Sequence, residues 1–127
     1  MSLRSPLGTV LGLGSAKQGA KHWWSQRVTA VGLVVLGAWF VVSLVCLGSF
    51  EFGAVTAWIG NPINATLLSL FIATLAYHSQ LGVQVVLEDY VHGATKTVCI
   101  VLSNFFHVII AALGVMSVLR IAFGGAA

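Results

Sequence analysis

Three long apolar stretches with almost no charge make up most of this sequence, over about residues 27–48, 63–87 and 97–122. Since about 20 helical residues cross the roughly 30 Å hydrocarbon core of a bilayer, each stretch is long enough to span a membrane. Only 7% of the residues are charged and 58% are hydrophobic, whereas soluble domains are about 25% charged. The pattern predicts an all-α membrane protein with three transmembrane helices in a single domain over residues 1–127.

The small size of this predicted bundle limits what it can enclose. Three helices leave little interior, so we expect helices of other subunits to complete the bundle. The net charge of +3 comes from six basic residues that are gathered mainly near the start of the chain. This distribution argues against nucleic-acid binding and favours contact with the membrane surface.

The segment before the first predicted span has the composition of a membrane interface. Its basic and aromatic side chains are Lys17, Lys21, His22, Trp23 and Trp24. Because indole rings and ammonium groups favour the headgroup region, we expect a short interfacial segment over 15–26 that leads directly into the first helix. Residues 1–14 are expected to be irregular, without a removed presequence.

The basic residues near the ends of the spans predict the orientation of the bundle. Five of them fall on one side of the membrane and Arg120 on the other; the five are Arg4, Lys17, Lys21, Arg27 and Lys96. The positive-inside rule then places the N-terminus in the cytoplasm, or in the matrix of a mitochondrion, and the C-terminus outside.

The connection between the first two spans carries aromatic and turn residues. We expect Phe50, Phe52 and Trp58 to lie in this connection, at the far membrane interface. Asn61 or Asn64 is expected to cap the second span, which has a proline in its first turn.

His78 is an ionisable residue deep in the second span. It lies about ten residues, or roughly 15 Å of helix rise, from the cytoplasmic end. Ionisable residues at such a depth are costly and are usually functional, and a neutral imidazole can ligate haem iron. Gly82, one turn further on, would leave a flat surface for a porphyrin. The alternative is a histidine that bonds to a neighbouring helix, with Gly82 serving helix packing.

His107 lies at nearly the same depth in the third span. Two histidines at one depth could bind a single haem within this chain. Alternatively, His107 bonds to a carbonyl or to a haem substituent, and the second axial ligand comes from another subunit. The spacing of the residues leaves both arrangements open.

The second span ends in acidic and aromatic side chains. Glu88 and Asp89 lie at a helix C-terminus, where the macrodipole disfavours carboxylates, so we expect compensation by Arg27 or Lys96. The Tyr90 phenol beside Asp89 could bond to a carbonyl oxygen and relay a proton, or it could be an interfacial anchor.

The remaining polar residues are assigned less specific roles. Gln80 and Gln84 lie roughly opposite His78 on the helix, and we expect them to bond to a neighbouring helix. His22 and His92 are expected to be surface residues at the interface.

The order of these features resembles that of a known family. An entry segment His22-Trp23-Trp24-Ser25-Gln26-Arg27-Val28-Thr29-Ala30 precedes three spans, and His78 is followed twelve residues later by Tyr90 within Glu88-Asp89-Tyr90-Val91-His92. Over most of residues 12–125 the arrangement is similar to the small hydrophobic membrane-anchor subunit of succinate dehydrogenase, of the alphaproteobacterial type.

The resemblance implies one subunit of a four-subunit succinate:quinone oxidoreductase in the bacterial inner membrane, without catalysis by this chain alone. It implies that His78 is an axial ligand of haem b, packed beside Gly82, and that a partner anchor subunit supplies the other ligand. Tyr90 and Asp89 would bind ubiquinone, and Arg27 resembles a basic residue near the quinone or the haem propionates. The implied partners are a flavoprotein subunit with FAD, an iron-sulfur subunit and a second cytochrome b anchor subunit.

Two other functions are compatible with the residues alone. One is a small proton-conducting or transport subunit in which His78, His107 and Asp89 form a relay. The other is a single-chain cytochrome that uses both histidines.

Overall fold

The computed structural model describes residues 16–124 and the side chains of residues 19–124. Its four helices are α1 (Ala16–Cys46), α2 (Phe52–Gly60), α3 (Pro62–Tyr90) and α4 (Gly93–Gly124). Within the described residues, α1, α3 and α4 are long and apolar enough to cross a membrane, and no strand is present. The predicted all-α fold with three transmembrane helices is therefore confirmed.

The helices extend beyond the predicted spans. α1 already begins at Ala16, so the described part of the predicted interfacial segment is continuous with the first span, while residues 1–14 lie outside the described residues. α3 continues to Tyr90, and the connection predicted over 88–96 is reduced to Val91 and His92. This correction has a local cause, because Gly93 adopts a φ of 69°, which allows a tight reversal into α4.

α3 lies between the other two long helices. α1 packs against one side of α3 and α4 against another, and among the described helices α1 and α4 do not pack on each other. The short helix α2 contacts α3 and α4. Only three apolar residues of the described chain are buried, namely Ala65, Leu81 and Val118. Much of the helix surface is therefore available to other helices or to lipid.

Glycines bring the long helices close together. A Cβ built at Gly32 would lie 3.6 Å from the methyl group of Thr74, and one at Gly37 would lie 3.8 Å from the ring of Phe71. These ordinary contact distances agree with a role for both glycines in close packing of α1 on α3. The α3–α4 contact is tighter, because a Cβ at Gly114 would lie only 2.9 Å from Cγ2 of Ile72.

The connection between α1 and α3 contains the short helix α2, which was not predicted from the sequence. Trp58 of α2 stacks on Trp39 of α1, with ring centroids 5.8 Å apart, and its ring lies 6.3 Å from that of Phe40. Phe40 in turn contacts Phe71 of α3, with centroids 5.3 Å apart. Trp58 therefore contributes to a cluster of aromatic side chains that joins three helices, a role that its sequence position did not indicate.

Two asparagines terminate the helices at this turn. The Oδ1 atom of Asn61 accepts hydrogen bonds from the backbone N–H groups of Ile63 at 2.9 Å and Asn64 at 3.4 Å, so Asn61 is the N-cap of α3. Asn64 has a different role, because its Nδ2 atom donates to the carbonyl of Trp58 near the end of α2 at 3.0 Å.

Replacement of Gly114 by alanine should destabilise the α3–α4 contact. The added Cβ would lie 2.9 Å from the β-branched Ile72, so a helix or a rotamer must move, at a cost of about 1–3 kcal/mol. We expect a lower midpoint of thermal unfolding for the detergent-solubilised protein. Gly37→Ala is the matched control, because its nearest neighbouring atom is 3.8 Å away. Equal midpoints for the two variants would contradict this packing argument.

Candidate functional site

His78 of α3 contacts two polar side chains of α1. Its Nδ1 atom lies 2.9 Å from Oγ1 of Thr29, and its Nε2 atom lies 3.3 Å from Nε2 of Gln26. The imidazole is half-buried. These residues, together with Gly82, line the space between the two helices, which we call the α1–α3 groove.

One arrangement of hydrogen atoms satisfies these contacts. With the Gln26 amide in this orientation, its side-chain nitrogen donates and Nε2 of His78 accepts. Nδ1 then carries the ring proton and donates to Oγ1 of Thr29. Thr29 can donate its own hydroxyl hydrogen to the carbonyl of Ser25, 2.8 Å away. Both ring nitrogens of His78 thereby have partners on α1, and Nε2 faces the Gln26 side chain in the groove.

A cavity of about 650 Å³ opens in the α1–α3 groove. It is lined by residues of both helices, among them Gly19, His22, Gln26, Gly82, Val85 and Glu88. Gly82 leaves space between the two helices, because a Cβ at this position would lie 3.8 Å from the side-chain nitrogen of Gln26. Oε1 of Gln26 is buried and has no hydrogen-bond partner among the described residues. The Gln26 amide is thus only half satisfied in this position.

The acidic end of α3 is exposed. Asp89 and Tyr90 belong to the last turn of α3, and Tyr90 is 79% exposed. Lys96 donates from Nζ to the backbone carbonyl of Glu88 at 3.1 Å. It therefore compensates the negative end of the helix dipole, as the sequence predicted for either Lys96 or Arg27.

Arg27 makes a different contact from the one predicted. Its guanidinium carbon lies 5.4 Å from the centroid of the Trp23 ring, one turn earlier on the same helix. This is a cation–π contact at the exposed surface of α1. Arg27 therefore contacts a residue of its own helix, whereas Lys96 contacts the end of α3.

His107 of α4 bonds to residues that His78 does not contact. Its Nδ1 atom lies 2.7 Å from the carbonyl oxygen of Ser103 and donates to it, so its Nε2 atom accepts from the Ser79 hydroxyl at 3.2 Å. Within residues 19–124, the two histidines share no hydrogen-bond partner. His78 therefore faces α1, whereas His107 contacts the Ser79 side of α3.

A ladder of polar side chains connects α3 to α4. Gln80 donates to Oδ1 of Asn104 at 2.7 Å and to Oε1 of Gln84 at 3.0 Å, and Gln84 donates to Oε1 of Glu88 at 2.8 Å. The bond predicted from Gln80 to a neighbouring helix is present. Gln84 differs from the prediction, because it bonds along its own helix.

Sequence reasoning missed the residues of α1 that meet His78. Gln26 and Thr29 are three positions apart, so they lie on one face of α1 where its apolar part begins. Two polar residues at this spacing in an apolar helix were an available signal. His22, predicted at the surface, is instead half-buried and lines the cavity, whereas His92 is exposed as predicted.

In the α1–α3 groove, His78 is a possible ligand for a metal that takes one nitrogen from this chain. Among residues described by the structure, no group of three or more His, Cys, Asp or Glu side chains could hold a metal ion. A haem differs from such a site, because each face of its iron takes a single axial ligand. His78 provides one such nitrogen, and the Gln26 side chain that contacts this nitrogen lines the cavity.

Three long apolar helices, two of which pack on the central helix α3, define the class of protein, a helical membrane protein. Residues 1–115 match the family described as succinate dehydrogenase/fumarate reductase transmembrane subunit. The chain therefore belongs to the family of transmembrane subunits of succinate dehydrogenase and fumarate reductase.

Curated relatives agree with this assignment. The succinate dehydrogenase hydrophobic membrane anchor subunit of Paracoccus denitrificans is 29% identical over 120 residues, which cover 94% of this chain and 93% of the relative. The subunit of the same name from Rickettsia conorii is 32% identical over 102 residues, or 78% and 81% of the two chains. That of Rickettsia bellii is 37% identical over 78 residues, or 61% and 62%. No solved structure gives a significant match.

The spans and the family together define the cellular role at a coarse level. Three candidate transmembrane helices and anchor-subunit relatives identify a multi-pass protein of the bacterial inner membrane. It serves as a membrane anchor of succinate dehydrogenase, and such a role implies partner subunits.

The Gln80–Asn104 bond should be measurable as a coupling between α3 and α4. Gln80→Leu and Asn104→Leu each leave an amide without its partner at 2.7 Å. We expect a double-mutant cycle on the free energy of unfolding in detergent to give a coupling of about 0.6 and at most about 1.7 kcal/mol. In a control cycle, Ser117→Ala replaces Asn104→Leu and should show no coupling to Gln80→Leu, because the Ser117 hydroxyl donates to the Leu113 carbonyl within α4. No coupling between Gln80 and Asn104 would contradict the ladder.

Proposed function

We propose that this subunit ligates one face of a haem b through His78 and helps to bind ubiquinone through Tyr90 and Asp89. It would thereby take part in passing electrons from succinate oxidation to quinone. The observation that carries the haem assignment is the Nε2 lone pair of His78 in the α1–α3 groove, with Nδ1 donating to an oxygen. This is the form in which an imidazole binds iron, because the metal takes one nitrogen and the other is held by an acceptor.

The α1–α3 groove has the features that a large planar ligand needs. Gly82 offers a wall without a side chain, and the neighbouring cavity measures about 650 Å³. Oε1 of Gln26 has no hydrogen-bond partner among the described residues, so moving this side chain away from Nε2 of His78 costs little free energy. This supports the fit of a haem to the groove. When bound, haem b supplies a one-electron carrier within the membrane.

The second axial ligand in this proposal belongs to the partner anchor subunit. α1 and α3 are covered on few sides by this chain, since only three apolar residues are buried in the described structure. His107 lies on α4 and shares no hydrogen-bond partner with His78 within residues 19–124, so the proposal does not use it as the second ligand. The other partners in the proposal are an iron-sulfur subunit and a flavoprotein subunit that carries FAD.

Tyr90 and Asp89 have suitable chemistry for quinone reduction. The exposed phenol of Tyr90 can donate a hydrogen bond to a quinone carbonyl oxygen, which gains negative charge as electrons arrive. The exposed carboxylate of Asp89 beside it can take protons from water and pass them on, because quinone becomes quinol by taking up protons with the electrons. Arg27 follows Gln26, which contacts His78, and would add positive charge suited to a propionate or to the quinone.

His78→Ala should abolish the haem b absorbance in reduced-minus-oxidised spectra of the purified complex, because the axial nitrogen is removed. His107→Ala is the matched control and should keep the absorbance, since His107 bonds within the chain to Ser103 and Ser79. The masses of the co-purifying chains separate loss of haem from loss of assembly. An assembled His78→Ala complex with unchanged haem would refute the ligand assignment.

Tyr90→Phe should lower quinone reductase activity about tenfold, since a hydrogen bond worth roughly 1.4 kcal/mol in the transition state is lost. Tyr77→Phe is the control, because Tyr77 lies on the same helix far from its acidic end. Reduction of a water-soluble dye by the same complex should stay unchanged in both variants. Full quinone reductase activity in Tyr90→Phe would remove Tyr90 from the quinone site.

A further inference from the structure

We propose that Thr29 is a positioning residue that sets the midpoint potential of the haem through the ring of His78. The proposal rests on the function proposed above, namely that Nε2 of His78 is an axial ligand. Its basis is the contact on the other side of the ring, where Nδ1 lies 2.9 Å from Oγ1 of Thr29. Thr29 belongs to α1 and His78 to α3, so two helices define the orientation of the imidazole.

The Thr29 hydroxyl is held as an acceptor towards His78. Its own hydrogen has an acceptor in the carbonyl oxygen of Ser25 at 2.8 Å, and the carbonyl oxygen of Gln26 lies at 3.1 Å. Carbonyl oxygens only accept, so the hydroxyl hydrogen points along α1 and an oxygen lone pair is left for Nδ1–H. The side chain of Thr29 is therefore fixed by the backbone of its own helix before it meets the imidazole.

The resulting chain of hydrogen bonds runs from Nδ1–H of His78 through the Thr29 hydroxyl to the Ser25 carbonyl. Each bond polarises the next in a medium of low dielectric constant. An Nδ1–H group that donates to a good acceptor makes the opposite nitrogen a more basic ligand. A more basic ligand stabilises oxidised iron over reduced iron, so Thr29 lowers the midpoint potential.

Gln26 and Thr29 differ in what happens when iron binds. Gln26 contacts Nε2, the ligating nitrogen in the proposed function, so its amide has to leave that position. Thr29 contacts Nδ1 and can stay where it is. The half-satisfied Gln26 amide is thus displaceable, while the Thr29 contact persists in the loaded subunit.

The test compares Thr29→Val with Thr29→Ser in the assembled complex, purified in mild detergent. Valine keeps the shape of threonine but removes the acceptor, whereas serine keeps the hydroxyl and removes the methyl group. Thr74→Val is the matched control, since Thr74 lies at the same α1–α3 contact with its methyl group against Gly32. The readouts are haem content and the midpoint potential from spectroelectrochemical titration.

We expect Thr29→Val to retain haem and to raise the midpoint potential, with a change in the oxidised-to-reduced ratio of up to about tenfold, or ~59 mV for a one-electron couple. Thr29→Ser and Thr74→Val should have the same midpoint potential as the wild-type complex. If Thr29→Val does not retain haem, the midpoint potential of Thr29→Ser tests the proposal instead. A potential equal to that of the wild-type complex supports the role of the hydroxyl group, and a shifted potential overturns it.

An unchanged potential in haem-loaded Thr29→Val overturns the proposal, and so does a shift in Thr74→Val of the same size. Failure of the proposed function has a separate signature, namely haem retained in His78→Ala. Retained haem in that variant would remove the ligand on which the role of Thr29 depends. The two failures are therefore distinguishable in one set of preparations.

Discussion

Polar side chains at membrane depth must find their hydrogen-bond partners inside the protein, because hydrocarbon offers none. In this chain the requirement is met through α3, which carries polar groups towards both of the other long helices. His78 bonds to Thr29 of α1, and Gln80 bonds to Asn104 of α4. Since α1 and α4 do not pack on each other, these contacts and the glycine-mediated packing hold the bundle together around α3.

The two sides of α3 are not equally complete. On the α4 side, both nitrogens of His107 have partners and the amides form a continuous ladder. On the α1 side, Nε2 of His78 faces the Gln26 amide, whose oxygen has no partner among the described residues and which lines a cavity of about 650 Å³. The proposed cofactor site lies between α1 and α3 because the hydrogen bonding there is incomplete.

The continuity of α3 relates the two proposed sites to each other. Asp89 follows His78 by eleven residues of unbroken helix, a rise of roughly 17 Å. The proposed haem ligand and the proposed quinone residues are therefore parts of one rigid element. Lys96 stabilises the end of that element through the carbonyl of Glu88, which leaves the Asp89 and Tyr90 side chains exposed at the last turn.

The sequence by itself determined the number of spans, the choice of Asn61 or Asn64 as the cap and the place of His78 inside an apolar span, because hydropathy and helical hydrogen bonding depend on neighbours along the chain. Only the tertiary structure decided that α2 forms against Trp39, that His107 bonds to Ser79 and that Gln26 and Thr29 meet the two nitrogens of His78. These contacts join residues far apart in sequence. Which face of one helix meets which face of another is set by packing, so a local pattern cannot specify the tautomer of a buried imidazole.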